Sequence, residues 1–190
     1  MIRAFIAVEL APAAVANIES AIAELKPIFP AIRWVPPANF HLTVKFLGDI
    51  EASQVQAIAD ALELAITPFP RSTINAKGLG VFPNVRQPKI FWVGFVGAEL
   101  ARLAAAVDRA LLPLGFSLEA RKFTPHLTIG RWRQGESRTG DVKLALDRWR
   151  ERDFGVTTID RVILFQSELK PAGAAYTQLK VIKLNDQPID

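Results

Sequence analysis

The chain has 190 residues, 50% of them hydrophobic and 22% charged, with a formal net charge of +4. That apolar content is ample for a core at this length and excludes a disordered chain. The absence of cysteine excludes a disulfide scaffold, a thiol nucleophile and a cysteine-ligated metal or cluster, while the basic balance favours an anionic partner such as RNA or a phosphate ester.

Strands and helices alternate along the chain. Ile2 to Leu10 reads as a strand, with Ile6, Val8 and Leu10 on one side. Arg3 and the small residues Ala14-Val15-Ala16 imitate a signal peptide, but Glu9 and Pro12 interrupt its apolar stretch. No apolar run approaches the ~20 residues that cross a bilayer, so a soluble cytoplasmic chain without a membrane partner is expected. Pro12 opens a helix whose Val15, Ile18, Ile22 and Leu25 share a face, and Pro27 and Pro30 close it. Trp34 to Pro37 is a short extended piece and a turn. A strand follows in which Leu42, Val44 and Phe46 alternate with His41, Thr43 and Lys45, and Gly48 stops it. Ser53 is placed to cap a helix running to Ile66. Thr73 to Phe82 reads as a strand broken by Gly78 and Gly80, and Pro83 to Pro88 as a loop.

The second half repeats this order: a strand from Lys89 to Val96, a helix ending near Pro113, and a strand from Phe123 to Arg131. A polar loop at Arg133 to Gly140, a helix over Asp141 to Arg150 and a strand from Thr157 to Glu168 follow. Pro171 to Gly173 turns into a last strand, Ala175 to Leu184, and the tail from Asn185 frays. Shifting the halves by 85 residues lays His41 on His126 and the first helix on Gly97 to Leu111. The fold class expected is α+β. One domain over residues 1–190 holds two pseudo-symmetric lobes, each a mainly antiparallel sheet with helices outside, with a central cleft between them.

Both histidines of the chain begin the same motif, His41-Leu42-Thr43-Val44 and His126-Leu127-Thr128-Ile129. From composition alone, Leu-Thr follows both with a probability on the order of 10⁻⁵. Residues i and i+2 of a strand share a face, so each lobe presents one imidazole and one hydroxyl to the cleft. Two imidazoles suit in-line displacement at a phosphodiester, one as the base that deprotonates water and the other as the acid that protonates the departing oxygen. The hydroxyls of Thr43 and Thr128 are available to the non-bridging oxygens. Such a scheme needs neither metal nor cofactor, and a zinc site would want a third ligand.

Two His-x-Thr-x motifs, with Arg33 to Gly48 around the first and Pro125 to Arg131 around the second, resemble the 2H phosphoesterase superfamily. The closest resemblance within it is to the RNA 2′,3′-cyclic phosphodiesterases, also called 2′-5′ RNA ligases. Gly80 to Pro88, Phe91 to Gly94 and Arg3 to Val8 share it. The resemblance implies hydrolysis of an RNA terminal 2′,3′-cyclic phosphate to a 2′-phosphate without a metal. It implies His41 as proton donor and His126 as proton acceptor, where the near-equivalent half-sites leave that choice open. Thr43, Thr128 and Arg131 would bind substrate, the partners being RNA ends with a cyclic phosphate and the chain a monomer.

Each of these residues also has a duller reading. A single histidine is more often an ordinary strand residue, and threonine is a good strand former anyway. Strict alternation from His126 aims Arg131 away from the cleft, its place at the strand end being the escape. Lys45 shares the His41 face on the same alternation, yet equally suits a solvated charge. Arg121, Lys122, Arg131 and Arg133 are candidates to track an RNA backbone. Trp34, Trp92, Phe5 and Phe46 suit base stacking, although core packing is the commoner fate. Trp132 and Trp149 carry no signal. Three functions compete: the RNA end hydrolase, the same fold acting on a small nucleotide or ADP-ribose cyclic phosphate or joining RNA by a 2′-5′ bond, and a non-catalytic RNA-binding module.

Overall fold

Nine strands and four α-helices make up the residues described in the computed structural model, which are 1–133, 141–171 and 173–185. The strands are β1 (Ile2–Val8), β2 (Ile32–Trp34), β3 (Leu42–Ile50), β4 (Ser72–Phe82), β5 (Ile90–Val96), β6 (His126–Trp132), β7 (Asp153–Ile159), β8 (Arg161–Lys170) and β9 (Gly173–Lys183). They form a four-stranded sheet in the order β3-β1-β8-β9 and a five-stranded sheet in the order β2-β6-β5-β4-β7. All ladders are antiparallel. The helices are α1 (Pro12–Leu25), α2 (Gln54–Ile66), α3 (Ala98–Leu111) and α4 (Val142–Trp149).

Each helix forms for a local reason and buries one stripe. Pro12 fits the first turn of α1, whose Ala14, Ile18, Ala21, Ile22 and Leu25 are buried. The helix lies on β7, where Asn17 donates to the Phe154 carbonyl and the Ala11 amide to Thr157. α2 and α3 pack together over the four-stranded sheet, and α4 lies on β4. Asp141 caps α4 by accepting from the Leu144 amide at 2.9 Å. Ser53 stands at the N-cap of α2 but makes no cap bond. The Gln54 side chain instead accepts the Glu51 amide at 2.9 Å, fixing the turn that leads into the helix.

Both sheets have one face under helices and one face toward the cleft. β1 is central, so Ala4 to Val8 are all buried. Ala4, Ile6 and Val8 join the main core. Phe5 and Ala7 pack with Ile163, Phe165 and Tyr176 in a separate cluster on the cleft face.

The alternation pattern misplaces three features. The strand expected at Thr157 to Glu168 is two strands that part at Asp160, β7 serving one sheet and β8 the other. β3 runs through Gly48, whose φ of +72° needs glycine, and continues to Ile50. β4 is likewise continuous. Its Gly80 leaves room for the Trp92 indole, which an added Cβ would meet at 2.0 Å.

The lobes are not the two halves of the sequence. Strands β3-β1-β8-β9 of one sheet match β6-β5-β4-β7 of the other in position, so β8 and β9 of the second half join β1 and β3, while β2 and β4 of the first half join β5, β6 and β7. The five-stranded sheet then has β2 as an extra edge strand beyond β6. The expected polar loop lies, from residue 134 onward, outside the described residues, as do Ala172 and residues 186–190. Asn185 is held, its carbonyl accepting from the Arg71 amide and its amide donating to the Phe69 carbonyl.

Candidate active site

His41 immediately precedes β3, and His126 is the first residue of β6. The same local device orients both rings. His41 Nδ1 lies 2.9 Å from the Asn39 carbonyl and His126 Nδ1 lies 2.7 Å from the Thr124 carbonyl, in each case two residues back. A carbonyl only accepts, so Nδ1 carries the proton in both rings and Nε2 is left for proton transfer. Aromatic neighbours fix the ring planes. Phe5 and Tyr176 flank His41 with centroids at 4.7 and 5.0 Å, and Phe82 meets His126 edge-on at 4.9 Å. Burial pulls the His41 imidazole below its ordinary value, with the hydrogen bond to Asn39 opposing.

Two β-bulges decide which side chains join the histidines. On β3, Thr43 pairs with Ala7 but Lys45 pairs with Ile6, so Val44 is the extra residue. On β6, Thr128 pairs with Trp92 and Gly130 with Phe91, so Ile129 is the extra residue. A bulge reverses the alternation beyond it. Phe46 and Arg131, which occupy matching places in the two strands, therefore swing to the cleft face with the threonines. Lys45 swings away from it. Its side chain is 9% exposed, and its ammonium pairs with Asp108 of α3 and donates to the Ser117 carbonyl at 2.9 Å.

A cavity of about 690 Å³ lies between the sheets, and His41, Thr43, His126, Thr128 and Arg131 all line it. Arg3 and Arg33 line it too, with Phe5, Trp34, Phe46 and Tyr176 as its aromatic walls. No Asp or Glu is among its lining residues. Three guanidiniums without a carboxylate make the space an anion site, of a size suited to a nucleotide. Among the described residues, neither Thr43 nor Thr128 has a side-chain hydrogen-bond partner, so both hydroxyls are free to donate. Burial raises the Tyr176 phenol, and the charge of Arg131 partly offsets this from the opposite sheet. Tyr176 therefore stays a neutral donor beside His41.

The LigT like Phosphoesterase family matches residues 8–92 and 95–176, nearly the whole chain and both histidine motifs. The chain is a LigT-like phosphoesterase. It is 30% identical to the RNA 2′,3′-cyclic phosphodiesterase of Methanothermobacter thermautotrophicus over 96% of this chain and 99% of that protein. It is 32% identical to the protein of the same name from Methanocaldococcus jannaschii, over 94% and 98% of the two chains. The fold matches the crystal structure of TT0787 of Thermus thermophilus, with a TM-score of 0.83 at 24% identity over 98% of this chain and all of that one.

Within this LigT-like phosphoesterase the structure brings together His41, Thr43, His126, Thr128 and Arg131. It leaves Lys45, Arg121, Lys122 and Arg133 outside the cavity lining. Of the four aromatics considered for stacking, Phe5, Trp34 and Phe46 line the cavity and Trp92 does not. Phe46 is 71% exposed there, not part of the core. Alternation alone hides Arg131 and misassigns Lys45: no glycine marks the bulge at Val44, and Gly130, beside the extra residue Ile129, is the local sign of the other. Sequence reasoning misses Arg3, Arg33 and Tyr176 as cavity residues, since they stand on β1, β2 and β9, outside the two histidine strands, and are brought to the cavity by the sheet ladders. No group of three metal-binding side chains occurs among the described residues. No helix among them is long and apolar enough to cross a membrane.

Proposed function

We propose that this LigT-like phosphoesterase opens the 2′,3′-cyclic phosphate at an RNA 3′ end to leave a 2′-phosphate, by two-histidine acid–base catalysis without a metal. The observation that carries the reading is the meeting of two His-x-Thr pairs, from opposite sheets, in one cavity that holds three guanidiniums and no carboxylate. The names of the relatives matched from end to end support the RNA cyclic phosphate as substrate.

His126 Nε2 takes a proton from water as the water oxygen bonds to phosphorus. The bond from phosphorus to the 3′-oxygen breaks, and His41 Nε2 gives that oxygen its proton. The two imidazoles end with their protons exchanged, and solvent restores them. Thr43, Thr128 and Arg131 hold the non-bridging oxygens, where charge collects.

The buried His41 must be protonated to act as donor, and the substrate itself supplies what is needed. A phosphate anion bound beside the ring favours the imidazolium and so opposes the burial that lowers it. The bound cyclic phosphate thus loads the acid that will cleave it.

The test is product analysis on a short RNA ending in a 2′,3′-cyclic phosphate. A 2′-phosphate terminus is expected, unchanged by EDTA, with turnover lost in His41→Ala and in His126→Ala. A 3′-phosphate product, or activity abolished by chelation, would overturn the proposal.

A further inference from the structure

The pseudo-twofold arrangement gives each histidine an equivalent setting, and the cavity departs from it in one direction. Where the four-stranded sheet places Phe46, the five-stranded sheet places Arg131. Beyond that, β3 is the edge of its sheet, while β6 is followed by β2, which carries Arg33. Arg33 pairs directly with Arg131 across the β2–β6 ladder. Like charges set opposite on neighbouring strands repel, and among the described residues no carboxylate relieves either of them. Arg3 differs, since Asp49 stands opposite it on β3.

The Arg33 guanidinium also reaches toward the other sheet. A Cβ built on Gly173, at the start of β9, would lie 3.8 Å from Arg33 Nη2. Close by, Asn39 Nδ2 donates to the Ala174 carbonyl at 2.8 Å, tying the segment ahead of His41 to β9. Arg33 therefore stands at the mouth of the cavity, one strand spacing of about 4.8 Å outward from Arg131.

Resting on the function proposed above, we infer that Arg33, beside Arg131, is a second phosphate subsite that takes the internucleotide phosphate on the 5′ side of the cyclised terminal nucleotide. The cyclic phosphate is the symmetric part of the substrate and sits between the equivalent histidines. The chain entering from the 5′ side is the asymmetric part, and the added cation lies on one side only. A polynucleotide end then engages two phosphate sites, whereas a mononucleotide engages one. The enzyme selects RNA ends over free cyclic mononucleotides.

Two paired measurements test this on wild type, Arg33→Ala and Arg33→Gln. The first is kcat/KM for a dinucleotide with a 2′,3′-cyclic phosphate and for 2′,3′-cyclic AMP. The second is the affinity for a dinucleotide 3′-phosphate and for adenosine 3′-phosphate. Wild type should favour the dinucleotide in both, and each variant should lower that preference about tenfold, as expected for loss of one charge-assisted phosphate contact. Equal losses on long and short substrates, or none, would overturn the subsite while leaving the hydrolase reading intact. If wild type opens neither substrate yet the binding preference exists and disappears in the variants, the subsite stands and the hydrolase reading falls.

Discussion

Lys45→Met is the sharpest test of the bulge at Val44, because a regular strand would put that lysine in the cleft. With the bulge, its side chain lies behind β3, 9% exposed, against an Asp108 side chain that is 19% exposed. Removing one partner of a buried pair costs about 3–5 kcal/mol. Asp108 keeps the Glu119 amide at 3.1 Å, which places the loss at the low end, ~3 kcal/mol. At about 2–4 °C per kcal/mol for a chain of this size, the melting temperature should fall by about 6–12 °C. Replacing both partners, as Lys45→Met with Asp108→Leu, should recover most of that loss, since no uncompensated charge remains. Thermal unfolding of wild type and both variants reads this directly. Below the transition, KM for the cyclic phosphate should change by less than about threefold. A Lys45→Met protein that melts like wild type but shows a tenfold higher KM would refute the bulge and return Lys45 to the substrate.

The His41 ring should titrate below 6.5 in the ligand-free protein and move upward when phosphate is bound, and an imidazole-detected NMR titration measures both. The sign for stability follows: the unfolded chain binds the proton more readily. The His41 contribution is thus complete above about pH 6.5 and is lost as pH falls through the lower folded-state value, so a His41→Asn protein should lose this part of the acid sensitivity in denaturant titrations. Thr43→Val and Thr128→Val keep the strand shape and remove only a donor, so each should lower kcat by about 10- to 100-fold with little change in melting temperature. A loss of stability equal to that of a core deletion would mean that the hydroxyls serve the fold instead.

Much of this was legible in the chain. The strand–helix order, the antiparallel α+β class with its two lobes, and the gathering of His41, Thr43, His126 and Thr128 follow from period, punctuation and one duplicated motif. What stayed hidden is long-range or irregular. Periodicity cannot show that β4 and β8 change sheets, because a strand buried on both faces reads alike in either. Asp160 parts two strands without the glycine or proline that usually marks a break. Val44, the extra residue on β3, is an ordinary strand former, so nothing local reveals that Lys45 turns away while Phe46 turns in, whereas Gly130 beside Ile129 is a local sign of the bulge that turns Arg131 in. Arg33 becomes a neighbour of the site only through the β2–β6 ladder.

With only two histidines in the protein, the central claim reduces to a simple spectroscopic experiment. Nitrogen-15-labelled protein is titrated with adenosine 2′-phosphate while both imidazoles are followed. Shifts of His41 and His126 along one binding curve with a common Kd are what a shared phosphate requires. Movement of one ring alone, or two curves with separate midpoints, would mean that the imidazoles serve different places and that the mechanism is wrong.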